Sequence, residues 1–209
     1  MIKTILFDMG GVIITISRDE AVKRFAALGL KDADDWLDAY CQKGIFGEIE
    51  EGKITDEEFR KKLELLVGRS LTWQECQHAW LGYMHDVPLR NLQKMQQLRA
   101  RGYRVVLLSN TNPYILKWVN EADLDGVGNG LSHYLDAVYA SFECGCMKPN
   151  KEFFKKVLEG EGVNPDEALF LDDGAANIKA ASELGIRTFL VENGKDWTTD
   201  IDSYLELQS

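Results

Sequence analysis

The sequence lacks long hydrophobic runs: no apolar stretch approaches the roughly 18 residues that a membrane-spanning helix requires. Its first residues, MIKTILFDMGG, become polar too early for a secretory signal peptide. We therefore expect a cytoplasmic protein that has no membrane partner.

Basic residues are few relative to acidic ones. The chain has 24 lysines and arginines against 34 aspartates and glutamates, which gives a formal net charge of -10. A chain this acidic repels nucleic acid and anionic membrane surfaces. Any anionic ligand must be held by a local site, so we expect a small-molecule partner and no nucleic acid.

Cysteine is scarce as well. The four cysteines are scattered, and the one close pair, Cys144 and Cys146, has a single intervening residue where zinc knuckles usually have two or more. We expect reduced thiols in a reducing compartment. What the chain does have, 209 residues of which 45% are hydrophobic, is enough for a folded core domain with a small accessory unit.

Five short apolar runs indicate the buried strands of a parallel sheet. They are Ile2–Phe7, Arg104–Leu108, Ala137–Ala140, Ala168–Leu171 and Arg187–Val191. Helical stretches alternate with the later runs, as in a series of βαβ units. The sequence therefore predicts an α/β fold with a doubly wound parallel sheet.

Between the first of these runs and Val87 there is no strand-like sequence. Four stretches show helical spacing instead, and Thr55 followed by Glu58 is a helix-start signature. The stretches are 18–28, 33–41, 55–67 and 72–83. We predict a helical cap at 16–87.

The predicted cap interrupts a core domain made of residues 1–15 and 88–209. It begins a few residues after Asp8, so it would lie above the carboxyl end of the first strand. Ligands of open α/β sheets bind at that edge.

Polar side chains follow the predicted strands at the points where the strands end. They are Asp8 after the first, Ser109 and Asn110 after the second, Lys148 in the stretch after the third, and Asp172 and Asp173 after the fourth. Each alone is explained by turn, cap or loop chemistry. Because the carboxyl ends of parallel strands meet at one edge, we expect them to converge on one site.

The charges in this set indicate its chemistry. Three carboxylates at close range repel one another unless a cation joins them, and oxygen ligands suit Mg²⁺. Mg²⁺ with Lys148 would form a site for a phosphoryl group, placing Asp8 to form an aspartyl-phosphate that water hydrolyses. Gly10 and Gly11 would let the backbone approach the phosphate closely.

These residues resemble the motifs of the haloacid dehalogenase-like hydrolases, most of which are magnesium-dependent phosphatases. DMGGV, LLSNT, MKP and FLDDGAANI match the four motifs of that family in order, and the resemblance extends over essentially the whole chain. It implies a Rossmann-like core with a helical cap inserted after the first motif. A bacterial subgroup that includes an α-glucose-1-phosphate phosphatase is similar, which suggests a sugar phosphate as substrate.

The resemblance implies a role for each motif residue. Asp8 would be the nucleophile, and Lys148 would steady Asp8 and the phosphate. The implied metal ligands are Asp8, Gly10 through its carbonyl, Asp173, and Asp172 directly or through water. The implied phosphate contacts are Ser109, Asn110, Gly10 and Gly11. Asn177 occupies a position where many relatives carry another acid, which leaves its role open.

Gly10 departs from the pattern of the family. Most of its phosphatases have an aspartate there, which protonates the leaving alcohol, and such assistance is typically worth about 10²–10⁴-fold in rate. The subgroup named above also carries glycine at this position, so activity does not require that aspartate. His85 is a candidate substitute acid.

Three other interpretations stay open. A catalytically weakened phosphate-binding or regulatory protein would explain Gly10. A 2-haloacid dehalogenase of the same family would need no metal, which the Asp172–Asp173 pair argues against. A signalling receiver domain would carry its acidic pair first in the chain, whereas here the pair comes last.

Substrate choice is expected to depend on the cap, because the core contacts only the phosphate. Phe46 and Glu48 are the preferred candidates, since they lie in a glycine-containing stretch that we take as a loop. Trp36 and Tyr40 are weaker ones, because helix packing is the commoner use of such residues. We expect a monomer or a weak dimer, and the sequence does not identify the substrate.

Overall fold

A computed structural model describes residues 1–38 and 42–206 of the chain. The strands in chain order are β1 (Thr4–Phe7), β2 (Thr15–Ile16), β3 (Met84–Asp86), β4 (Arg104–Ser109), β5 (Ala137–Ala140), β6 (Ala168–Asp172) and β7 (Arg187–Leu190). Among the helices of these residues, none has the length and apolar character needed to cross a bilayer.

The helices, again in chain order, are α1 (Arg18–Leu28), α2 (Ala33–Trp36), α3 (Ile45–Glu50), α4 (Asp56–Val67), α5 (Trp73–Trp80), α6 (Leu89–Ala100), α7 (Pro113–Glu121), α8 (Ser141–Cys144), α9 (Lys151–Glu161), α10 (Ala175–Ser182) and α11 (Asp200–Glu206). Three short 3₁₀ turns accompany them at Leu81–Tyr83, Leu131–Tyr134 and Pro165–Glu167.

The central sheet has the strand order β5-β4-β1-β6-β7, and every neighbouring pair in it is parallel. Strand β1 lies in the middle, with Phe7 opposite both Leu107 and Leu171. The predicted doubly wound sheet is confirmed. Its topology brings the carboxyl ends of β1, β4 and β6 side by side at the centre of one edge.

Both faces of the sheet are covered at its centre, which explains why the central strands β1, β4 and β6 read as largely apolar runs. Successive side chains of β1 alternate between faces: Ile5 and Phe7 join one buried cluster, and Leu6 joins the other. Helix α9 packs on the Leu6 side through Phe153 and Phe154, which are fully buried.

Residues 16–87, which we call the cap segment, contain helices α1 to α5 and have an aromatic centre of their own. Phe25, Phe46, Phe59 and Trp80 are fully buried, and their ring centroids lie 5.0 to 5.7 Å apart where they touch. Edge-to-face contacts dominate, as aromatic quadrupoles favour. The start of α4 is as predicted, since Thr55 and Glu58 form a reciprocal capping box.

Two expectations for the cap segment are wrong. Strands β2 and β3 pair as an antiparallel ribbon, so this part of the chain is not free of strands. They are only two and three residues long, too short to show alternation in sequence. The stretch 33–41, expected to be helical throughout, forms helix only to Trp36, and residues 39–41 lie outside the described residues.

Candidate active site

Asp8 follows β1 directly, and the sheet fixes its backbone. Its N–H donates to the Leu171 carbonyl at 2.9 Å, which continues the pairing of β1 with β6 by one residue. Its Oδ1 accepts from the Met9 N–H at 2.7 Å. The carboxylate therefore projects beyond the sheet edge from a rigid support and lines a cavity.

Lys148 is the cation of the site. Its side chain is inaccessible to solvent, and its Nζ lies 2.9 Å from Asp8 Oδ2 and 2.6 Å from Asp172 Oδ2. Burial by itself would lower the pKa of this ammonium, but Asp172 and Asp8 outweigh burial and raise the pKa. Lys148 is thus held in its charged form between two carboxylates.

Asn110 positions Lys148. Its amide nitrogen donates to the Lys148 carbonyl at 2.9 Å, and its amide oxygen accepts from the Lys148 N–H at 2.8 Å. The Asn110 side chain, which the sequence predicts to contact phosphate, therefore holds the Lys148 backbone in place. Asn110 also lines the cavity. Ser109 is buried and not among the cavity-lining residues, whereas the neighbouring Thr111 is.

Asp8, Asp172 and Asp173 form an acidic cluster in which one oxygen from each lies within 4.8 Å of the others. Asp172 is fully buried and both its oxygens are engaged. Oδ1 accepts from the Gly174 N–H at 2.6 Å, and Oδ2 accepts from Lys148. Asn177, whose role the sequence left open, also donates to Asp172, at 3.0 and 3.2 Å.

The two glycines after Asp8 have different environments. Gly11 has φ +77°, and a Cβ there would lie 2.1 Å from Asp173 Oδ2, so a side chain is excluded on both counts. Gly10 lines the cavity, and a Cβ there would lie 3.1 Å from Ile16 Cγ2. Because Gly11 has no side chain, Asp173 can lie close to the backbone that follows Asp8. Because Gly10 has none, Ile16 of strand β2 can lie close to the same backbone.

The electrostatics of the site favour binding of a cation. Burial raises the pKa of Asp8 to about 8; Lys148 opposes this rise, while Asp172 and Asp173 add to it. One lysine does not neutralise three carboxylates. A bound divalent cation would neutralise the negative charge that remains.

The cap segment supplies the other side of the cavity, through residues that the sequence did not single out. They are Gln42, Glu50, Tyr83 and Met84, with Ile16 from β2. Glu50 is the last residue of α3 and is only 7% exposed. Burial raises its pKa to about 8, and the Asp8 charge adds to the rise, while the Asn112 amide acts against it.

Phe46 and Glu48 do not reach this cavity. They lie in helix α3, not in a loop, and Phe46 is fully buried in the aromatic centre of the cap segment. The Glu48 carboxylate instead pairs with Lys62 at 2.6 Å. Glu50 follows Phe46 by four residues in the same helix. A prediction of helix for 45–50 would therefore have placed Phe46 and Glu50 on one face.

Trp36 and His85, two other candidates from the sequence, do not line the cavity. Trp36 packs against Phe46, with ring centroids 6.1 Å apart. His85 is exposed on β3 and is not a lining residue. Tyr40 lies outside the described residues.

Comparison with known proteins places this arrangement in a family. A sequence model of the haloacid dehalogenase-like hydrolases matches residues 2–185. The chain is 48% identical over 201 residues to a D-ribitol-5-phosphate phosphatase of Bacteroides thetaiotaomicron, covering 96% of this chain and 97% of that protein.

Solved structures agree with this assignment. A predicted HAD-like family hydrolase from Porphyromonas gingivalis superposes with a TM-score of 0.92 at 38% identity, covering 98% of both chains. A HAD family enzyme from B. thetaiotaomicron, solved with magnesium and inorganic phosphate, has a TM-score of 0.87 at 34% identity, covering 95% of this chain and 98% of that one. An L-2-haloacid dehalogenase, at 21% identity and a TM-score of 0.62, shares the fold.

Proposed function

Because the chain belongs to the haloacid dehalogenase-like hydrolases, we propose that it is a Mg²⁺-dependent phosphatase that hydrolyses a small phosphate monoester through an aspartyl-phosphate. The observation that carries the proposal is the convergence of Asp8, Lys148 and Asp173 on one cavity, with Asp172 buried behind them. A nucleophile, a fixed cation and a cluster of oxygen ligands are what phosphoryl transfer to a carboxylate requires.

The acidic cluster fits Mg²⁺ by its chemistry and spacing. Oxygens bound to one Mg²⁺ lie about 3 to 4 Å apart, given Mg–O distances of about 2.0–2.1 Å. The cluster oxygens already lie within 4.8 Å of one another. Asp8, Asp173 and the Gly10 carbonyl would hold the ion. Because both Asp172 oxygens are engaged by protein groups, Asp172 would act by holding Lys148 or through a water. When bound, Mg²⁺ supplies positive charge that orients the phosphoryl oxygens and lowers their repulsion with Asp8.

Each of the remaining groups then has a defined task. An Asp8 oxygen attacks phosphorus, the ester bond breaks, and water hydrolyses the resulting aspartyl-phosphate to return Asp8 and inorganic phosphate. Lys148 keeps the Asp8 carboxylate oriented and stabilises negative charge on the phosphoryl oxygens. Asn110 holds Lys148 in register through the two hydrogen bonds to its backbone.

For the substrate, we propose a phosphorylated alditol or sugar. The relative that is 48% identical over nearly its whole length is named for D-ribitol 5-phosphate. Gln42 and Tyr83 give the cap side of the cavity polar atoms, which suit the hydroxyl groups of such a substrate. A cytoplasmic location and a monomeric or weakly dimeric state remain predictions from the sequence.

The test is release of inorganic phosphate from a panel of sugar and alditol phosphates that includes D-ribitol 5-phosphate. We expect turnover with Mg²⁺, none with EDTA, and none for Asp8→Asn with Mg²⁺. The matched control is Asp19→Asn, which makes the same change at an exposed carboxylate in α1 and should keep full activity. If the wild-type protein released no phosphate from any ester, the proposal would be wrong.

A further inference from the structure

The proposed reaction leaves one proton without a donor. When the ester bond breaks, an alkoxide-like oxygen must be protonated, and Gly10 has no side chain with which to do it. Among the described residues that line the cavity, the carboxyl groups are Asp8, Asp173 and Glu50. Asp8 is the nucleophile and Asp173 belongs to the acidic cluster, which leaves Glu50 as the carboxyl group without an assigned task.

Glu50 lines the cavity on its cap side, where the leaving group is expected. In phosphoryl transfer the attacking and departing oxygens lie roughly in line on opposite sides of phosphorus. Asp8 attacks from the sheet edge, so the departing oxygen points away from that edge, toward the cap segment. Glu50 terminates helix α3 of that segment, and Phe46 and Ile49, both fully buried, anchor the helix.

The surroundings of Glu50 favour its protonated form, because among the described residues Glu50 has no ammonium group against it, whereas Lys148 contacts Asp8. Within residues 1–38 and 42–206 no lysine or arginine pairs with it, and its neighbours are the Asn112 amide and the Asp8 charge. Burial, reinforced by Asp8, raises the pKa of its carboxyl to about 8. A buried acid that holds its proton near neutral pH is suited to general acid catalysis.

Tyr83, the other acidic O–H on this side, is committed elsewhere. Its hydroxyl lies 2.8 Å from the Asp38 carbonyl, to which it donates, and 3.2 Å from Gln42 Oε1. Burial raises the pKa of Tyr83 well above its ordinary value, with the Glu50 charge adding to the rise. Tyr83 therefore supports the cap side of the cavity, and its hydroxyl is a poor proton donor.

On this geometry, and resting on the proposed phosphatase function, we propose that Glu50 is the general acid of the reaction. In the first step Asp8 bonds to phosphorus, the phosphorus–ester oxygen bond breaks, and the Glu50 proton passes to that oxygen to give the alcohol. In the second step water attacks phosphorus, its proton passes to the Glu50 carboxylate, and the bond from phosphorus to Asp8 breaks. Both residues end as they began.

The experiment compares the Mg²⁺-loaded wild-type protein with Glu50→Gln, which keeps the shape of the side chain but has no proton to donate. The substrates are n-propyl phosphate and a series of substituted phenyl phosphates ending with p-nitrophenyl phosphate. None carries a sugar hydroxyl, so a role of Glu50 in binding such hydroxyls does not influence the result. Release of the alcohol or phenol in the first turnover reports on the step that needs the acid.

We expect Glu50→Gln to lose about 10²–10⁴-fold in first-turnover rate on n-propyl phosphate, the range typical of general acid catalysis. On p-nitrophenyl phosphate, whose phenol leaves as a stable anion, the loss should be under about tenfold for the same reason. The dependence of rate on leaving-group acidity should therefore be steeper in the variant. Glu50→Asp, which retains a carboxyl one methylene shorter, should recover part of the loss on n-propyl phosphate.

The matched control is Glu51→Gln, next along the chain, whose carboxylate pairs with Lys53 and does not line the cavity. It should behave as wild type on every ester. An equal loss across the whole series for Glu50→Gln, or no loss on n-propyl phosphate, would overturn the role of Glu50 while leaving the phosphatase intact. A wild-type protein inactive on all the esters would overturn both proposals.

Discussion

Gly11 offers a quantitative test of how the nucleophile loop and the acidic cluster fit together. It combines φ +77° with a Cβ position that lies 2.1 Å from Asp173 Oδ2 and 2.4 Å from Asp173 Cγ. In Gly11→Ala the methyl group and the carboxylate cannot occupy the same space. We expect the Asp173 carboxylate to move away from Asp8, and the acidic cluster to lose its spacing.

Gly68 provides the matched comparison. It has almost the same conformation, φ +74°, but a Cβ there meets nothing within 4 Å. Gly68→Ala should therefore lower the free energy of unfolding only by the cost of a left-handed backbone at alanine, about 1–2 kcal/mol. Gly11→Ala has this cost and must also displace Asp173, so its free energy of unfolding should fall further.

The assays are urea unfolding with EDTA present and the Mg²⁺ concentration that gives half-maximal phosphatase activity. For Gly68→Ala we expect the small stability loss and an unchanged Mg²⁺ requirement. For Gly11→Ala we expect the Mg²⁺ requirement to rise by about 10- to 100-fold, the range seen when the support of a metal ligand is disturbed. Equal stability losses and equal Mg²⁺ requirements in the two variants would refute the contact between Gly11 and Asp173.

Two further predictions concern the cap segment. Glu50 has a folded-state pKa of about 8 against an ordinary 4.5, so its stabilising contribution is complete below pH 4.5 and is lost as the pH rises through 8. With EDTA present, wild type should thus become less stable relative to Glu50→Gln as the pH rises, by up to about 5 kcal/mol at about 1.36 kcal/mol per pKa unit; parallel profiles of unfolding free energy against pH would contradict this. Phe46→Ala should lower the free energy of unfolding by about 3–5 kcal/mol, because the ring fills the aromatic centre of the cap segment. A raised KM at unchanged stability would instead support the sequence-based idea that Phe46 contacts substrate.

The parallel sheet could be predicted from sequence because burial on both faces leaves an unmistakable local pattern. Strands β1, β4 and β6 are almost entirely buried, so each reads as an uninterrupted apolar run with a polar residue at its end. Once the strands are known, parallel topology alone brings Asp8 and the Asp172–Asp173 pair together. The central part of the candidate site follows from these two facts.

The cap side of the site could not be predicted in the same way. Helix α3 has six residues and begins after Gly44, whose φ is +51°, so it is too short to display helical periodicity and resembles a loop. The sequence alone therefore favours Glu48 as a substrate contact, whereas in the structure Glu48 pairs with Lys62 and Glu50 lines the cavity. Asn110 illustrates the same limit, because its hydrogen bonds to Lys148 join residues 38 positions apart.

Gly10 connects the two halves of the site. A side chain there would begin 3.1 Å from Ile16 Cγ2, a contact tighter than ordinary packing allows, so Ile16 would have to give way to an aspartate. Ile16 is not free to move on its own, because it pairs with Met84 across the β2–β3 ribbon and both line the cavity. A side chain at position 10 would therefore begin against the Ile16 side chain of this ribbon. An acid supplied by α3 needs no side chain at position 10, since Glu50 lines the cavity from the cap segment. A proton donor at Glu50, as proposed above, is therefore compatible with a glycine at position 10.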